Sequence, residues 1–145
     1  MNSSVIDLSH LAYAARRWVG LFLMASLSVP LLAWAHSNEH LATMKGAHGG
    51  MLRMAEMYHF ELAVNNGEAR VWVTDHGDAP QSTKGAVGTL RVIGGNAAFT
   101  VYMAPSGGNE LVIKDPRITA SKGTRLVLTV SMRGEAPLQT RFSLD

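Results

Sequence analysis

A two-residue alternation of apolar and polar positions sets in at Tyr58. Tyr58, Phe60, Leu62 and Val64 are apolar, and His59, Glu61 and Ala63 stand between them, the pattern of a strand with one buried face. Asn66-Gly67 follows, a pair that favours a two-residue type I′ hairpin, and Ala69, Val71 and Val73 resume the alternation. Further strands are predicted over 89–93, 97–103, 110–114, 125–132 and 138–144. Glycine-, proline- and asparagine-rich breaks such as Gly94-Gly95-Asn96 and Pro105-Ser106-Gly107-Gly108-Asn109 separate them. Seven short strands without a strong helical stretch predict an all-β fold, an antiparallel β-sandwich or small barrel. Residues 36–57 lack this pattern and read as an irregular segment, with Gly46, Gly49 and Gly50 set against a long helix.

The first 35 residues have a different organisation. Arg16-Arg17 close a polar n-region, residues 18–32 form an apolar run, and Ala33-Trp34-Ala35 supplies the small-x-small pattern read by signal peptidase. The run is short for a transmembrane helix and carries Pro30 near its end. The expected organisation is a signal peptide over 1–35 cleaved at Ala35-His36, a His/Met-rich segment over 36–57 and a β domain over 58–145. Export implies the periplasm, with no membrane insertion after cleavage.

Composition narrows the chemistry. The chain has 145 residues, 47% of them hydrophobic, and a net charge of +2, enough apolar matter for one core. Lys and Arg are scattered, so the pI of 9.2 does not point to nucleic acid. Cysteine is absent, which excludes disulfides, zinc-thiolate sites and thiol nucleophiles. Any metal would have to be held by His, Met, carboxylate or backbone groups. Among these, His36, His40, His48, Met44, Met51, Met54 and Met57 all crowd into residues 36–57.

The predicted hairpin gathers some of these groups. With Asn66-Gly67 as the loop, Leu62 faces Val71 and Phe60 faces Val73 on the core side. On the other side Glu61 meets Trp72, His59 meets Thr74, and Met57 meets His76. Directly opposed side chains lie about 5 Å apart and diagonal ones about 7–8 Å, so Met57, His59 and His76 are expected to cluster, with Glu61 next along the face. Met44, His48, Met51 and Met54 lead into this strand and can fold over the same end. Thioether and imidazole suit Cu(I) or Ag(I), and imidazole also suits Cu(II), Zn, Ni and Co. If cleavage falls as expected, the amine and imidazole of His36, with His40 nearby, form a second candidate Cu(II) site. Each group also has a plainer role: Met51, Met54 and Met57, spaced by three, fit an apolar helical stripe, His36 and His40 fit a solvated tail, and His59 and His76 fit ordinary strand-face histidines.

The runs His48-Gly49-Gly50, Tyr58-His59-Phe60-Glu61-Leu62 and Val71-Trp72-Val73-Thr74-Asp75-His76, with Gly85-Ala86-Val87-Gly88 after them, resemble small periplasmic heavy-metal-resistance domains. Such domains occur alone or attached to the adaptor (membrane-fusion) subunits of heavy-metal efflux pumps. The resemblance spans about residues 47–145. It implies a β-sandwich-like domain that handles transition metals, with His48, His59 and His76 as the metal positions and Glu61 as their neighbour. The domain is expected to stand alone, without an adaptor hairpin or lipoyl-like module, and the methionines at 44, 51, 54 and 57 depart from the pattern.

The function expected from the sequence is a non-enzymatic, periplasmic metal-binding protein. It would buffer or deliver copper or silver, or alternatively zinc, nickel or cobalt, with an efflux-pump component as a partner. The alternative is an envelope interaction module whose histidines are structural.

Overall fold

The computed structural model describes residues 38–95 and 97–145, all within the compact unit His36–Asp145. The proposed leader, its cleavage point and His36 lie outside the described residues. The described elements are a short helix α1 (Asn38–Ala42) and eight strands: β1 (Met51–Ala55), β2 (Tyr58–Asn65), β3 (Glu68–Asp75), β4 (Val87–Gly94), β5 (Ala97–Gly107), β6 (Glu110–Lys114), β7 (Arg125–Ser131) and β8 (Leu138–Ser143). Among the described residues no helix is long and apolar enough to cross a membrane.

All the strand pairs are antiparallel, in the order β1-β2-β3-β6-β5-β4-β7-β8. The sheet curls into a nearly closed barrel because β5 serves two neighbours. Its first half pairs with β4. Beyond Met103 it turns to β6, with a bulge at Pro105–Gly107 that bends the strand. The ends β1 and β8 come together without ladder pairing. Arg53 of β1 sets its guanidinium 5.6 Å from the centre of the Phe142 ring of β8. Inside, Phe60, Leu62, Val71, Val73, Leu90, Leu111, Ile118, Leu126, Leu128 and Val130 are almost wholly buried, each worth about 1.5–3 kcal/mol of burial.

The all-β reading holds, and every strand expected from 58 onward is present. The β2–β3 register is the expected one, with Phe60 opposite Val73, Leu62 opposite Val71 and His59 opposite Thr74. The turn conformation differs. Gly67 has a φ of 84°, but Asn66 is not among the residues with positive φ, so the turn is not type I′. Tertiary bonds hold it instead: Gly67 N–H donates to the Ile118 carbonyl (2.8 Å), Asp115 N–H donates to the Gly67 carbonyl (3.0 Å), and Ala120 N–H donates to Asn66 Oδ1 (3.2 Å).

A second difference is β1. Residues 51–55 are neither irregular nor helical. They pair with β2, Met51 opposite Leu62 and Met54 opposite His59. The strand is half-buried along its whole length, so it shows no clean alternation, and its turn to β2 uses Glu56 at a φ of 51° where no glycine marks it. Asn38 borders β1 from the helix side: its side-chain oxygen accepts from Met54 N–H (2.7 Å) and its amide donates to the Met54 carbonyl (3.2 Å).

Candidate functional site

Strand pairing puts Leu52, His59, Glu61, Trp72 and Thr74 on the face of β1–β3 that points away from the core. In an isolated barrel that face would meet water. Here residues 38–50 cross it as an arm, burying Leu41 of α1 and leaving His59 and Glu61 only 7% and 5% exposed. Between arm and sheet lies a cavity of about 410 Å³, lined from the arm by His40, Leu41, Met44, Lys45 and His48 and from the sheet side by Leu52, His59, Glu61, Trp72, Thr74, His76 and Asp78.

Glu61 fastens the arm. One carboxylate oxygen accepts from the backbone N–H of His48 (2.7 Å) and of Gly50 (2.8 Å), and the other pairs with His48 Nδ1 (2.9 Å). The His48 ring lies flat on Trp72, centroids 4.0 Å apart and planes 7° from parallel. Glycine is required here for space. A Cβ on Gly46 would clash with the Glu61 carboxyl carbon, and one on Gly50 would lie 2.8 Å from both Glu61 Cγ and the Leu62 carbonyl oxygen.

At the other end, the rings of His59 and His76 stack with centroids 5.2 Å apart and planes 22° from parallel. Hydrogen bonds set which nitrogen of each carries the proton. His76 Nε2 lies 2.9 Å from the Glu56 carbonyl, which can only accept, so Nε2 donates and Nδ1 keeps its lone pair. His59 Nδ1 lies 3.4 Å from a carboxylate oxygen of Asp78, which directs the proton to Nδ1 and the lone pair to Nε2. His59 Nε2 is buried with no hydrogen-bond partner, an uncommon state for a buried polar nitrogen. By the same reasoning His48 Nδ1–H donates to the Glu61 carboxylate, which leaves Nε2 of that ring with a lone pair. Asp78 sits 87% exposed at its side chain, in a backbone conformation with a φ of 60°. The preceding turn is built on Asp75, whose Oδ1 accepts from Gly77 and Ala79 N–H. Those backbone bonds, ahead of the Gln81 amide, hold the Asp75 carboxyl below its usual range.

The structure thus brings together His40, His48, His59, His76 and Glu61 around one cavity, with Met44. It does not bring in the other methionines. Met57 is 65% exposed in the β1–β2 turn, beyond the last β2–β3 pair. Met51 packs against the core. Met54 stands opposite His59 on the same face of the sheet but lines a separate groove with Asn38 and Pro137 and not the cavity. Glu61 is occupied by its three donors. Asp78 was not legible in the sequence, because its place beside His59 depends on a loop with a non-glycine residue at positive φ. Among the described residues no three His, Cys, Asp or Glu side chains converge as a metal-binding group. The two stacked rings, being nearly parallel, do not aim their in-plane lone pairs at one point.

The arrangement defines the class only as a small barrel with a histidine-lined cavity under an N-terminal arm. Comparison with family models, with curated proteins and with solved structures finds no match to this chain.

Proposed function

We propose that the cavity under the arm binds a soft transition-metal ion. On this reading the protein is an exported carrier that buffers or delivers copper or silver in metal resistance or efflux, like the heavy-metal-resistance domains its sequence resembles. The observation that carries the reading is the buried, unpartnered Nε2 of His59, a residue that lines the cavity together with His76, His40 and Met44. A lone pair held away from water without a donor is costly as structure and apt as a ligand. The carboxylate on Nδ1 supports it further, since metal-binding histidines commonly donate their second nitrogen to such a group. Imidazole with thioether and no thiolate favours Cu(I) or Ag(I); zinc, nickel and cobalt are the alternatives. His59 and His76 are the principal ligands. Joint coordination requires one ring to turn, and exposed His76, with its one hydrogen bond to Glu56, has the freedom to do so. The metal would be cargo, moved by ligand exchange.

A second reading, an envelope interaction module with structural histidines, draws on His48, whose bonds to Glu61 and stacking on Trp72 are those of a fastener.

Native mass spectrometry of residues 36–145, titrated with Cu(I), Ag(I), Cu(II), Zn(II), Ni(II) and Co(II), separates the two. Selective one-to-one uptake is expected, abolished in H59A/H76A and weakened as pH falls below about 6.5. D78A should weaken it by roughly ten- to hundredfold. Unchanged affinity in the double variant would remove the site. Absence of selective uptake in the wild-type protein would favour the interaction module.

A further inference from the structure

The outer face of β4, β7 and β8 has a different chemistry from the arm side. The pairing sets Arg91 of β4 and Arg141 of β8 on either side of Val127 of β7, in one row across the sheet. The next row runs Ile93, Arg125, Ser143. Neighbouring strands lie about 4.8 Å apart, so the Arg91 and Arg141 backbones are about 10 Å apart, with Arg125 diagonal to both. Arginine side chains are long enough to bring three guanidiniums over Val127. Arg125 and Arg141 also line a cavity of about 440 Å³ with Arg53, Ile93, Leu126, Val127, Phe142 and Ser143, a lining that contains no carboxylate.

This arginine group differs from the other cationic clusters of the domain. Arg70 is paired with Glu68 and with Glu110, the latter at 2.7 Å, and Arg117 with Asp115 at 2.7 Å. Among the described residues Arg91, Arg125 and Arg141 form no ion pair. The one side-chain bond of Arg141 goes to the neutral Gln139 amide, at 3.4 Å. Three guanidinium-bearing positions within two rows, with no carboxylate among their cross-strand partners, make this face locally cationic and attractive to an anion.

We infer that this face is an oxyanion site for a phosphate group, with Arg91, Arg125 and Arg141 as its ligands and Arg53 and Ser143 at its margin. A carboxylate is satisfied by one guanidinium fork, whereas a phosphate presents three oxygens and up to two charges. The phosphate can be free in solution or the headgroup of an anionic lipid; the guanidinium chemistry is the same. The inference is independent of the histidine cavity.

The test uses residues 36–145, wild type and R125Q/R141Q. Inorganic phosphate is titrated in calorimetry at low ionic strength against a chloride control. Sedimentation is measured with vesicles of phosphatidylcholine containing phosphatidylglycerol, and with phosphatidylcholine alone. Wild-type protein should bind phosphate, or the anionic vesicles, with an affinity that falls steeply with added salt. The double variant should bind at least tenfold more weakly while its thermal unfolding is no lower than that of wild type and its uptake of Cu(I) is unchanged. Binding of free phosphate assigns a soluble ligand, and binding of anionic vesicles alone assigns a lipid headgroup; either supports the site. If neither binds, or if the variant binds as well as the wild type, the inference is overturned.

Discussion

Removing the Glu61 carboxylate should release the arm, and the size of the effect follows from the bonds it makes. Its two oxygens accept three hydrogen bonds, from His48 N–H, Gly50 N–H and His48 Nδ1, at 2.7–2.9 Å, and the residue is only 5% exposed. In E61A two backbone donors lose their partner, and Gly50 is buried. Each buried donor left unsatisfied costs about 1–3 kcal/mol, so a loss of about 2–6 kcal/mol is expected for the two backbone donors if the arm stays docked. If docking is weaker than that, the arm detaches and the loss stops at its docking energy. E61Q keeps the side-chain shape and one carbonyl oxygen for the two backbone donors, and its amide can donate to His48 Nδ1 after a tautomer change. It should lose only about 1 kcal/mol. Trp72 is the sole tryptophan after residue 35 and carries His48 on its face, so its fluorescence reports arm docking directly. Urea unfolding gives the stability difference from circular dichroism and arm release from Trp72. The reasoning is refuted if E61A unfolds within about 0.5 kcal/mol of wild type with an unchanged Trp72 spectrum, or if E61Q is as damaging as E61A.

Two further outcomes follow from the same structure. G46A should also displace the arm, because its methyl group would clash with the Glu61 carboxyl group; the Trp72 spectrum should match that of E61A, and a wild-type spectrum would contradict the packing. Acid unfolding should carry a contribution from Asp115, whose carboxyl is lowered from 3.8 to about 2 by its side-chain bonds from Arg117 and then by the Arg117 backbone N–H. A folded-state value below the unfolded one stabilises at pH above about 4 and is lost as pH falls toward 2, so D115N should be less stable than wild type at pH 6 and should close that gap by pH 2. A gap that does not narrow on acidification would contradict the assignment.

The β2–β3 ladder was readable because two independent signals agreed. The aliphatic residues fall on one face only in this register, and Asn66-Gly67 sits where a two-residue loop must. The approach of His59 to His76 followed from that register alone. β1 was not readable: at the edge of the barrel and under the arm it is half-buried on both faces, so Met51-Leu52-Arg53-Met54 shows no alternation. Reading the methionines at spacing three as a stripe mistook a strand for one helical face. Met57 fell out of the cluster for a related reason, since the β1–β2 turn takes it before the ladder can. The role of Glu61 was hidden because its partners are backbone N–H groups of the arm, and such groups leave no mark in the residue types.

Where β1 meets β8 no backbone ladder closes the barrel, and the join rests on side chains such as Arg53 and Phe142. A cylinder made this way has a built-in line of compliance. Widening or narrowing there would break no strand pair, whereas the opposite wall of β6, β5 and β4 is laddered throughout. The Asn38 amide, paired with both backbone groups of Met54, acts there as a one-residue strand. It satisfies the outward backbone groups of that one residue, where a second molecule's strand could otherwise pair.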